Sequence, residues 1–478
     1  MNYRLILNVL GLTLMLEAGC MILPMICAIC YGEAELWTFV ISSAVSFAAG
    51  SLLKCIRPKT HRMYAKEGFA MVSLSWIFMS LFGAIPFVIS GSIPNYVDAL
   101  FETVSGFTTT GATILRDVEV LPKSILFWRS FTHWIGGMGV LVFLVSLVKL
   151  SGGNNLYLLK AESTGPSVGK LVPKVQATAK ILYGIYTILT IAELVLLLLG
   201  GMSFFDAITT AMGTAGTGGF GVRNSSIADY SSYIQVVITI FMLIFGVDFS
   251  IYYLILIRKF TTAIRSEELR WYLGIVVISI ILICINIAGT FQSVGDAFKH
   301  SAFQVASIIT TTGFATDDFN LWPEFSKVIL VLLMFIGACA GSTGGGMKVS
   351  RIIIATKTII KELKITAHPK STHKITINGR MVEHETIRSI NVYIIAYFVI
   401  FAASLLLISF DNFNFTTNFT AVAATINNIG PGLDMVGPTG NFADFSVLSK
   451  IVFVLDMLVG RLEVFPMLIL FSPYTWKK

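Results

Sequence analysis

Thr109-Thr110-Gly111-Ala112, Thr217-Gly218-Gly219-Phe220, Thr311-Thr312-Gly313-Phe314 and Asn428-Ile429-Gly430-Pro431 are the four glycine-centred segments that decide the fold of this chain. Each follows a short apolar stretch and precedes a long one, and the segments recur about every hundred residues. Glycine permits backbone conformations that turn carbonyl oxygens towards a common axis. Four such segments in one chain therefore predict a single pore. In it, carbonyl oxygens would replace the hydration shell that a cation loses on entry.

The composition is that of a polytopic membrane protein. Hydrophobic residues make up 55% of the chain and charged residues only 13%, whereas soluble domains contain about 25% charged residues. The formal net charge of +7 comes from Lys and Arg clustered in particular loops. Membrane orientation explains this clustering, so no nucleic-acid partner is expected. The six cysteines lie almost all in apolar stretches, where we expect them to pack as small hydrophobic side chains.

Ten apolar stretches are long enough to cross a bilayer, which takes about 20 residues. They lie near 5–31, 36–56, 68–91, 122–149, 179–201, 230–257, 270–291, 325–363, 386–409 and 445–472. Four further runs are too short to cross and are predicted to be re-entrant half-helices, near 95–108, 204–215, 295–310 and 415–427. Non-helical backbone after such runs is tolerated only where it lines a path for water or ions.

These runs predict an all-α polytopic membrane protein with four repeats around one central pore. Each repeat is expected to contain a first transmembrane helix, a half-helix and a second transmembrane helix. Two extra N-terminal transmembrane helices would occupy residues 1–60. The four pore repeats would follow at 61–150, 151–265, 266–370 and 371–478.

Basic residues follow every second crossing, and acidic residues lie in the opposite loops. The basic set is Lys54, Arg57, Lys59, Arg62, Lys66, Lys160, Lys170, Lys174, Lys180, Arg258, Lys259, Arg265, Lys357, Lys361, Lys364, Lys370, Lys374, Arg380, Lys477 and Lys478. These loops and both termini are predicted to be cytoplasmic. The acidic set, expected to attract cations to an outer vestibule, is Glu33, Glu35, Asp117, Glu119, Asp229, Asp317, Asp318 and Asp411.

The chain resembles the TrkH/TrkG membrane subunits of the bacterial Trk potassium-uptake system, in the superfamily that includes Ktr and plant HKT transporters. The resemblance runs nearly end to end and includes the two extra N-terminal crossings. Besides the four glycine segments it rests on Trp134-Ile135-Gly136-Gly137-Met138-Gly139, Gly341-Ser342-Thr343-Gly344-Gly345-Gly346-Met347-Lys348, Asn427-Asn428-Ile429-Gly430-Pro431-Gly432-Leu433 and Gly460-Arg461-Leu462-Glu463-Val464-Phe465.

The resemblance implies a potassium selectivity filter whose backbone carbonyl oxygens bind the ion. Its residues would be Thr109, Thr110, Gly111, Thr217, Gly218, Thr311, Thr312, Gly313, Asn428, Ile429 and Gly430, with Gly111, Gly218, Gly313 and Gly430 as the filter glycines. In HKT relatives a serine at the first filter glycine accompanies sodium preference, so Gly111 favours potassium. A sodium or mixed potassium/sodium transporter of the same architecture is the alternative.

The resemblance also implies the ion and the partners. The potassium ion would be transported without an organic cofactor on this chain. The expected assembly is a homodimer in the bacterial inner membrane, docked on a cytosolic ring of nucleotide-binding TrkA-type subunits. Basic loops near 150–180 and 357–380 would contact that ring.

The eighth apolar stretch is longer than one crossing and is interrupted by small residues. Glycine costs a helix about 1 kcal/mol per residue, so this segment is expected to be unwound. It is either a packing seam of small residues or, as the resemblance implies, a gate below the filter. The gate residues would be Gly341, Ser342, Thr343, Gly344, Gly345 and Gly346. Met347 separates the last glycine from Lys348, which argues against a phosphate-binding loop.

Several ionisable residues lie in the apolar stretches. Arg461 is in mid-span, where a charge costs about 2.5 to 3.5 kcal/mol. It either snorkels to the interface or, as the resemblance implies, belongs to the gate and raises the barrier to cations. Asp456 either neutralises Arg461 in part or pairs with a neighbouring helix, and Glu463 is expected to pair with Arg461 or the backbone. His133 is expected to be a satisfied packing residue, and Asp248 has no assigned role.

The remaining motifs argue against an enzyme. Residues 216–221 match GxGxxG by letter, but the dinucleotide fingerprint requires a preceding strand and a βαβ unit, which are not expected here. The sequence contains no HExxH or GxSxG motif and no clustered His and acidic residues. We therefore expect a transporter without catalytic activity.

Overall fold

The computed structural model describes residues 1–58, 64–139, 175–369 and 373–476, and these ranges are mostly helical. The predicted all-α membrane class is confirmed. Within these ranges, six helical segments are long and apolar enough to cross a membrane, and a seventh crossing results when one bent helix pair is counted as a unit. Some basic residues of the predicted cytoplasmic loops lie outside the described ranges: Lys59, Arg62, Lys160, Lys170, Lys174, Lys370, Lys477 and Lys478.

Two N-terminal crossings precede the repeats. The first consists of helices Tyr3–Cys20 and Ile22–Tyr31, and the second is Leu36–Lys54. They touch at two glycines: a Cβ atom added to Gly11 would lie 2.5 Å from the carbonyl oxygen of Gly50, and one added to Gly50 would lie 2.7 Å from that of Gly11. Small residues allow this close approach of membrane helices.

The first helix of each repeat is one long apolar segment. These helices are Ala65–Gly83 with its extension Ile85–Ile89, Val175–Leu199, Glu267–Ile287 and His384–Ile408. They expose large apolar side chains, for example Leu199 at 75% and Ile285 at 71%. A wide apolar surface of this kind is rare on soluble proteins and suits the lipid of a bilayer.

All four predicted half-helices are present, and each begins with a side-chain cap. They are Tyr96–Phe107, Phe204–Gly216, Val294–Ile309 and Phe415–Ile426, called half-helices 1 to 4 below. The caps accept a hydrogen bond from a backbone N–H of the first turn at 2.7 to 3.1 Å, and they are Asn95, Ser203, Ser293 and Asn414. Such caps satisfy donors that a helix start leaves unpaired. Each half-helix is too short to cross a bilayer.

The second helices are interrupted in repeats 2, 3 and 4. Their described pieces are Lys123–Gly137 in repeat 1, Ser232–Phe245 and Phe249–Leu256 in repeat 2, Glu324–Ile336 and Val349–Ala367 in repeat 3, and Val447–Arg461 and Phe465–Phe471 in repeat 4. The two pieces of repeat 2 meet at 91°. Residues 337–348, called the gate loop below, separate those of repeat 3. These breaks, and the end of the described range in repeat 1, explain why fewer than ten segments meet the length of a crossing.

Short elements complete the described chain. They are the helices Phe260–Ile264 and Pro473–Trp476, the 3-10 turns Phe319–Leu321, Ser409–Asp411 and Asp434–Val436, and the strands Thr376–Ile377 and Arg380–Met381. The strands pair antiparallel, with Thr376 opposite Met381. By contrast with these peripheral elements, the C-terminal halves of the half-helices are buried in the middle of the protein.

Candidate ion-conduction site

Each half-helix ends in the same backbone arrangement. The first residue after the helix or its cap has a left-handed φ between 53° and 58° at Thr109, Thr217, Thr311 and Asn428. The N–H of the next residue then donates to a carbonyl five residues back at 2.8 to 2.9 Å, in the pairs Thr110 to Ser105, Gly218 to Gly213, Thr312 to Ser307 and Ile429 to Ala424. This is a Schellman closure, and it makes Thr110, Gly218, Thr312 and Ile429 equivalent positions.

The residue after this closure is a glycine with a positive φ in every repeat. These glycines are Gly111, Gly219, Gly313 and Gly430, with φ between 77° and 97°. In this register Gly219, and not Gly218 as the sequence indicated, is equivalent to Gly111, Gly313 and Gly430, and these four residues are called the filter glycines below. Gly218 takes the place that Thr110 and Thr312 take in their segments, and two adjacent glycines hide this register in the sequence. Residues 109–111, 217–219, 311–313 and 428–430 are called filter segments 1 to 4 below.

The filter glycines meet the neighbouring segments in cyclic order. An added Cβ atom would lie close to a carbonyl oxygen of the next repeat in each case: Gly111 at 2.0 Å from Gly218, Gly219 at 2.0 Å from Thr312, Gly313 at 2.1 Å from Ile429, and Gly430 at 2.7 Å from Thr110. A side chain at these positions would displace the neighbouring backbone. The four segments thus close into a ring around one axis.

A cavity of about 140 Å³ adjoins this ring. Its wall includes the four filter glycines and three basic side chains, Arg116, Arg129 and Arg223. None of the acidic residues predicted for the outer vestibule belongs to its described wall. One of them, Asp117, instead accepts a hydrogen bond from Asn224 Nδ2 at 2.8 Å, and this bond lowers the pKa of Asp117. Asp117 therefore holds the loop that carries Asn224, and the acidic outer vestibule stays a prediction.

His133 packs directly behind filter segment 2. Its Nδ1 lies 1.6 Å from the position of a Cβ atom added to Gly218, and its ring centroid is 4.2 Å from that of Phe220. The imidazole thus fills the space that the side chains of Thr110 and Thr312 fill in their own segments. It is fully buried, and neither ring nitrogen has a hydrogen-bond partner within the described ranges. His133 is a packing residue as expected, but its polar atoms are not satisfied.

The gate loop lies against the ends of half-helices 3 and 4. The N–H of Gly345 donates to Thr311 Oγ1 at 2.6 Å. A Cβ atom added to Gly344 would lie 2.9 Å from the carbonyl oxygen of Thr310, and one added to Gly345 would lie 2.3 Å from that of Asn427. The glycines are therefore needed because the loop packs on backbone carbonyls at the negative ends of these helices.

Two charged residues that the sequence did not indicate hold the gate loop. Glu268 Oε1 accepts hydrogen bonds from the N–H of Ala340 at 2.7 Å and of Ser350 at 3.1 Å, one near each end of the loop. The Lys348 ammonium donates to the carbonyl oxygen of Gly344, and Lys348 is 1% exposed. In the sequence, Glu268 looks like any acid in the first turn of a helix, and only the position of Lys348 within an apolar stretch gives a signal.

Arg461 connects the gate loop to repeat 1. Its Nη1 donates to the carbonyl oxygen of Thr343 at 2.7 Å, and its Nη2 donates to those of Gly136 and Gly137 at 2.6 Å each. The residue is 8% exposed. Because the guanidinium is bound to backbone carbonyls inside the protein, the snorkelling alternative is excluded.

Asp456, Glu463 and Asp248, the acids singled out in the sequence, have separate partners. Asp456 Oδ1 accepts a hydrogen bond from Ser404 at 2.6 Å, which favours pairing with the neighbouring helix over neutralisation of Arg461. Glu463 forms an ion pair with Arg351, a partner that the sequence did not indicate. Asp248 lies at the break in the second helix of repeat 2 and caps its second piece through the N–H of Ser250 at 2.8 Å.

The chemistry available at this site is the coordination and obstruction of a cation. Carbonyl oxygens converge where the four filter segments meet, and rings of carbonyls are the ligands of dehydrated cations in channels. The C-terminal ends of the half-helices carry partial negative charge. The gate loop lies against these ends, together with the buried positive charges of Lys348 and Arg461. A cation would therefore meet a favourable site followed by an obstacle.

Comparison with known proteins agrees with this geometry. The family model TrkH, described as cation transport protein, matches residues 36–478. The chain is 37% identical to the Trk system potassium uptake protein TrkH of Escherichia coli strain K12 over the full length of both. It is 33% identical to TrkG of the same strain, over its own full length and 99% of that relative. The crystal structure of the potassium transporter TrkH from Vibrio parahaemolyticus matches with a TM-score of 0.89 and 34% identity. This match covers the full length of both chains.

Membrane-crossing helices, four capped half-helices and a closed ring of glycine segments define a polytopic cation transport protein. The end-to-end match in sequence and structure narrows this class. The chain belongs to the TrkH family, which confirms the resemblance found in its sequence motifs.

Proposed function

We propose that this chain is the potassium-translocating transmembrane subunit of a Trk-type uptake system. K⁺ passes through the ring of filter segments 1 to 4 and is bound there by backbone carbonyl oxygens. The cyclic contact of each filter glycine with a carbonyl oxygen of the next repeat is the observation that carries this proposal. The relatives named above are potassium uptake proteins and a potassium transporter.

The proposed gate consists of the gate loop and Arg461. The loop packs against Thr311 at the end of half-helix 3 and is bonded to Arg461 through Thr343. A fixed positive charge in a narrow path raises the barrier to cations. Opening would require the loop to leave the ends of half-helices 3 and 4 and Arg461 to release Thr343, Gly136 or Gly137.

The transport direction and partners follow from the same proposal. An inside-negative potential supplies about 2.3 kcal/mol per charge per 100 mV, which drives K⁺ inwards. The protein would form a homodimer in the bacterial inner membrane, with both termini in the cytoplasm, and would dock on a cytosolic ring of nucleotide-binding TrkA-type subunits. Of the two predicted docking loops, the one near 150–180 lies mostly outside the described residues, and the one near 357–380 contains the short antiparallel hairpin.

Rescue of a potassium-uptake-deficient bacterium in low-potassium medium tests the proposed function. We expect growth with the wild-type chain and its TrkA-type partner, and none with an empty vector. Liposome flux in K⁺, Na⁺ or choline salts then separates the alternatives. Equal K⁺ and Na⁺ flux would replace the proposal with a mixed cation transporter, and the absence of flux and of rescue at normal abundance would contradict it.

A further inference from the structure

A buried ion pair lies beside filter segments 1 and 2. It belongs neither to the filter segments nor to the proposed gate. Glu102 on half-helix 1 is 0% exposed, and Arg129 on helix Lys123–Gly137 is 2% exposed. The distance from Arg129 Nη2 to Glu102 Oε1 is 2.7 Å, and Arg129 Nε donates to the same oxygen at 2.8 Å. Burying two charges is costly unless their remaining hydrogen-bonding groups are also satisfied.

The carboxylate of Glu102 satisfies that requirement with the backbone that follows filter segment 1. It accepts hydrogen bonds from Thr113 Oγ1 at 3.0 and 3.1 Å and from the N–H of Ile114 at 3.1 Å. Thr113 is two residues beyond the filter glycine Gly111. Glu102 therefore fixes the place where segment 1 leaves the ring.

The guanidinium of Arg129 makes the matching contacts with the backbone that follows filter segment 2. Its Nη1 donates to the carbonyl oxygen of Gly221 at 3.2 Å, and its central carbon lies 3.9 Å from the ring centroid of Phe220. Phe220 directly follows the filter glycine Gly219. The ion pair thus connects the backbone that follows segment 1 to the backbone that follows segment 2.

This charged connection is confined to the junction of repeats 1 and 2 within the described ranges. The positions equivalent to Glu102, counted from the Schellman closures, are Thr210, Gln304 and Ala421. In repeat 3 the continuation of the filter is held by a neutral bond, from Ser307 Oγ to the carbonyl oxygen of Phe314 at 2.6 Å. Within the described ranges, a fully buried ion pair that holds the backbone after two filter segments is found at this junction alone, which indicates a specific task there.

We propose that Glu102 and Arg129 are positioning residues that set the spacing of filter segments 1 and 2 and thereby the preference for K⁺ over Na⁺. The proposal rests on the proposed function, because it assigns the pair to the selectivity of that filter. Selectivity depends on the spacing and the field of the coordinating carbonyls. A site is held in a productive geometry, to within about 0.5 Å, by second-layer contacts such as these.

The decisive variant is the double substitution Glu102→Leu with Arg129→Met. It leaves no buried charge unpaired and preserves much of the volume, and such replacements of buried ion pairs are often tolerated. It removes the hydrogen bonds that Glu102 and Arg129 make with Thr113, Ile114 and Gly221. The matched control is Glu324→Gln, which breaks the surface ion pair with Lys327.

Inhibition of K⁺ uptake by Na⁺ is measured in liposomes for wild type, control and double variant at equal reconstituted protein. We expect the K⁺ over Na⁺ preference of the double variant to fall about tenfold, or ~1.4 kcal/mol, with the control unchanged. The concentration of K⁺ giving half-maximal uptake should rise more than the maximal rate falls. A purely structural pair would lower abundance and maximal rate but leave the ion preference intact, and that result would overturn the proposal.

Arg129→Lys provides a second variant. It keeps the charge beside Glu102 but lacks the planar fork that reaches Gly221 and stacks on Phe220. We expect a preference between those of wild type and double variant, and a wild-type preference in this variant would contradict the role of Arg129. If the wild type shows no K⁺ uptake, the proposed function is refuted, and this proposal with it. A selective wild type with an equally selective double variant would refute this proposal alone.

Discussion

At the scale of single residues, the proposed filter contains glycines that have no room for a side chain. Gly111 combines a φ of +77° with an added Cβ atom 2.0 Å from the carbonyl oxygen of Gly218. We expect Gly111→Ser to displace that carbonyl and to let Na⁺ compete with K⁺. Gly201 is the control. Its φ of +83° would be as unfavourable for a serine as that of Gly111, but nothing lies within 4 Å of an added Cβ atom.

Ion competition in cells or liposomes measures both variants. Gly201→Ser should keep the wild-type preference for K⁺ over Na⁺, because the added side chain contacts no carbonyl oxygen. If Gly111→Ser also keeps that preference at normal abundance, Gly111 does not lie at the selective constriction.

A second residue-scale prediction concerns Arg461. At an effective dielectric constant of about 20, a fixed positive charge 4 Å from a cation raises the energy of that cation by about 4 kcal/mol. We therefore expect Arg461→Ala to raise K⁺ flux several-fold, by removing both the charge and the bonds to Thr343, Gly136 and Gly137. Arg461→Lys, which retains a charge, should raise flux less. Reduced flux of Arg461→Ala in single-channel or liposome recordings, at normal abundance, would instead identify a structural arginine.

Asp456 serves as the internal check on this interpretation. It is hydrogen-bonded to Ser404 on the neighbouring helix, so its substitution should act independently of Arg461. Independent residues have additive effects in a double-mutant cycle. We expect Asp456→Asn to change flux by the same factor with Arg461 present or replaced by alanine. A marked dependence on Arg461 would restore the alternative that Asp456 shields the arginine.

At the scale of elements, the breaks in the second helices form the proposed gate and its attachments. The carboxylate of Glu268 holds the gate loop near both ends, at Ala340 and at Ser350. We expect Glu268→Ala to release these ends and to raise K⁺ leak in the absence of the cytosolic partner. Glu268→Gln keeps an acceptor oxygen and should leak less than Glu268→Ala.

The adjacent Glu267 offers a matched control, because it pairs with Lys357 and does not contact the gate loop through a described hydrogen bond. Leak is measured as K⁺ efflux from liposomes that contain this chain alone. If the loop is only a packing seam, Glu268→Ala should lower abundance without raising leak per molecule.

At the scale of the whole molecule, the four repeats meet at the closed ring of glycine segments, which is the proposed ion site. An ion that binds only the folded state stabilises it, by about 2.7 kcal/mol at a hundred times its Kd. We expect the Tm of the detergent-solubilised protein to be a few degrees higher in KCl than in choline chloride at equal ionic strength. Gly111→Ser should lose this K⁺-dependent increment and Gly201→Ser should keep it. Equal stabilisation by NaCl would favour the mixed-cation alternative.

The membrane class, the positions of all four half-helices, the register of three of the four glycine segments and the helix interruption at residues 341–346 could be predicted from the sequence. These features depend on local properties: the length of apolar runs, the capping residues and the cost of glycine in a helix. Gly111, Gly313 and Gly430 each stand alone beside bulkier residues, so their register was readable. Gly218 and Gly219 are adjacent, and no local signal distinguishes them.

The register of segment 2 and the partners of the buried charges depend on tertiary contacts and could not be predicted. The Schellman closure to Gly213 and the contact with Thr312 make Gly219 the equivalent of Gly111, Gly313 and Gly430. Arg461 binds carbonyls more than three hundred residues away along the chain, at Gly136 and Gly137. The physical reason is that such pairs form when four separate repeats close around one axis, and the energy of burying a charge depends on these distant neighbours rather than on the surrounding sequence.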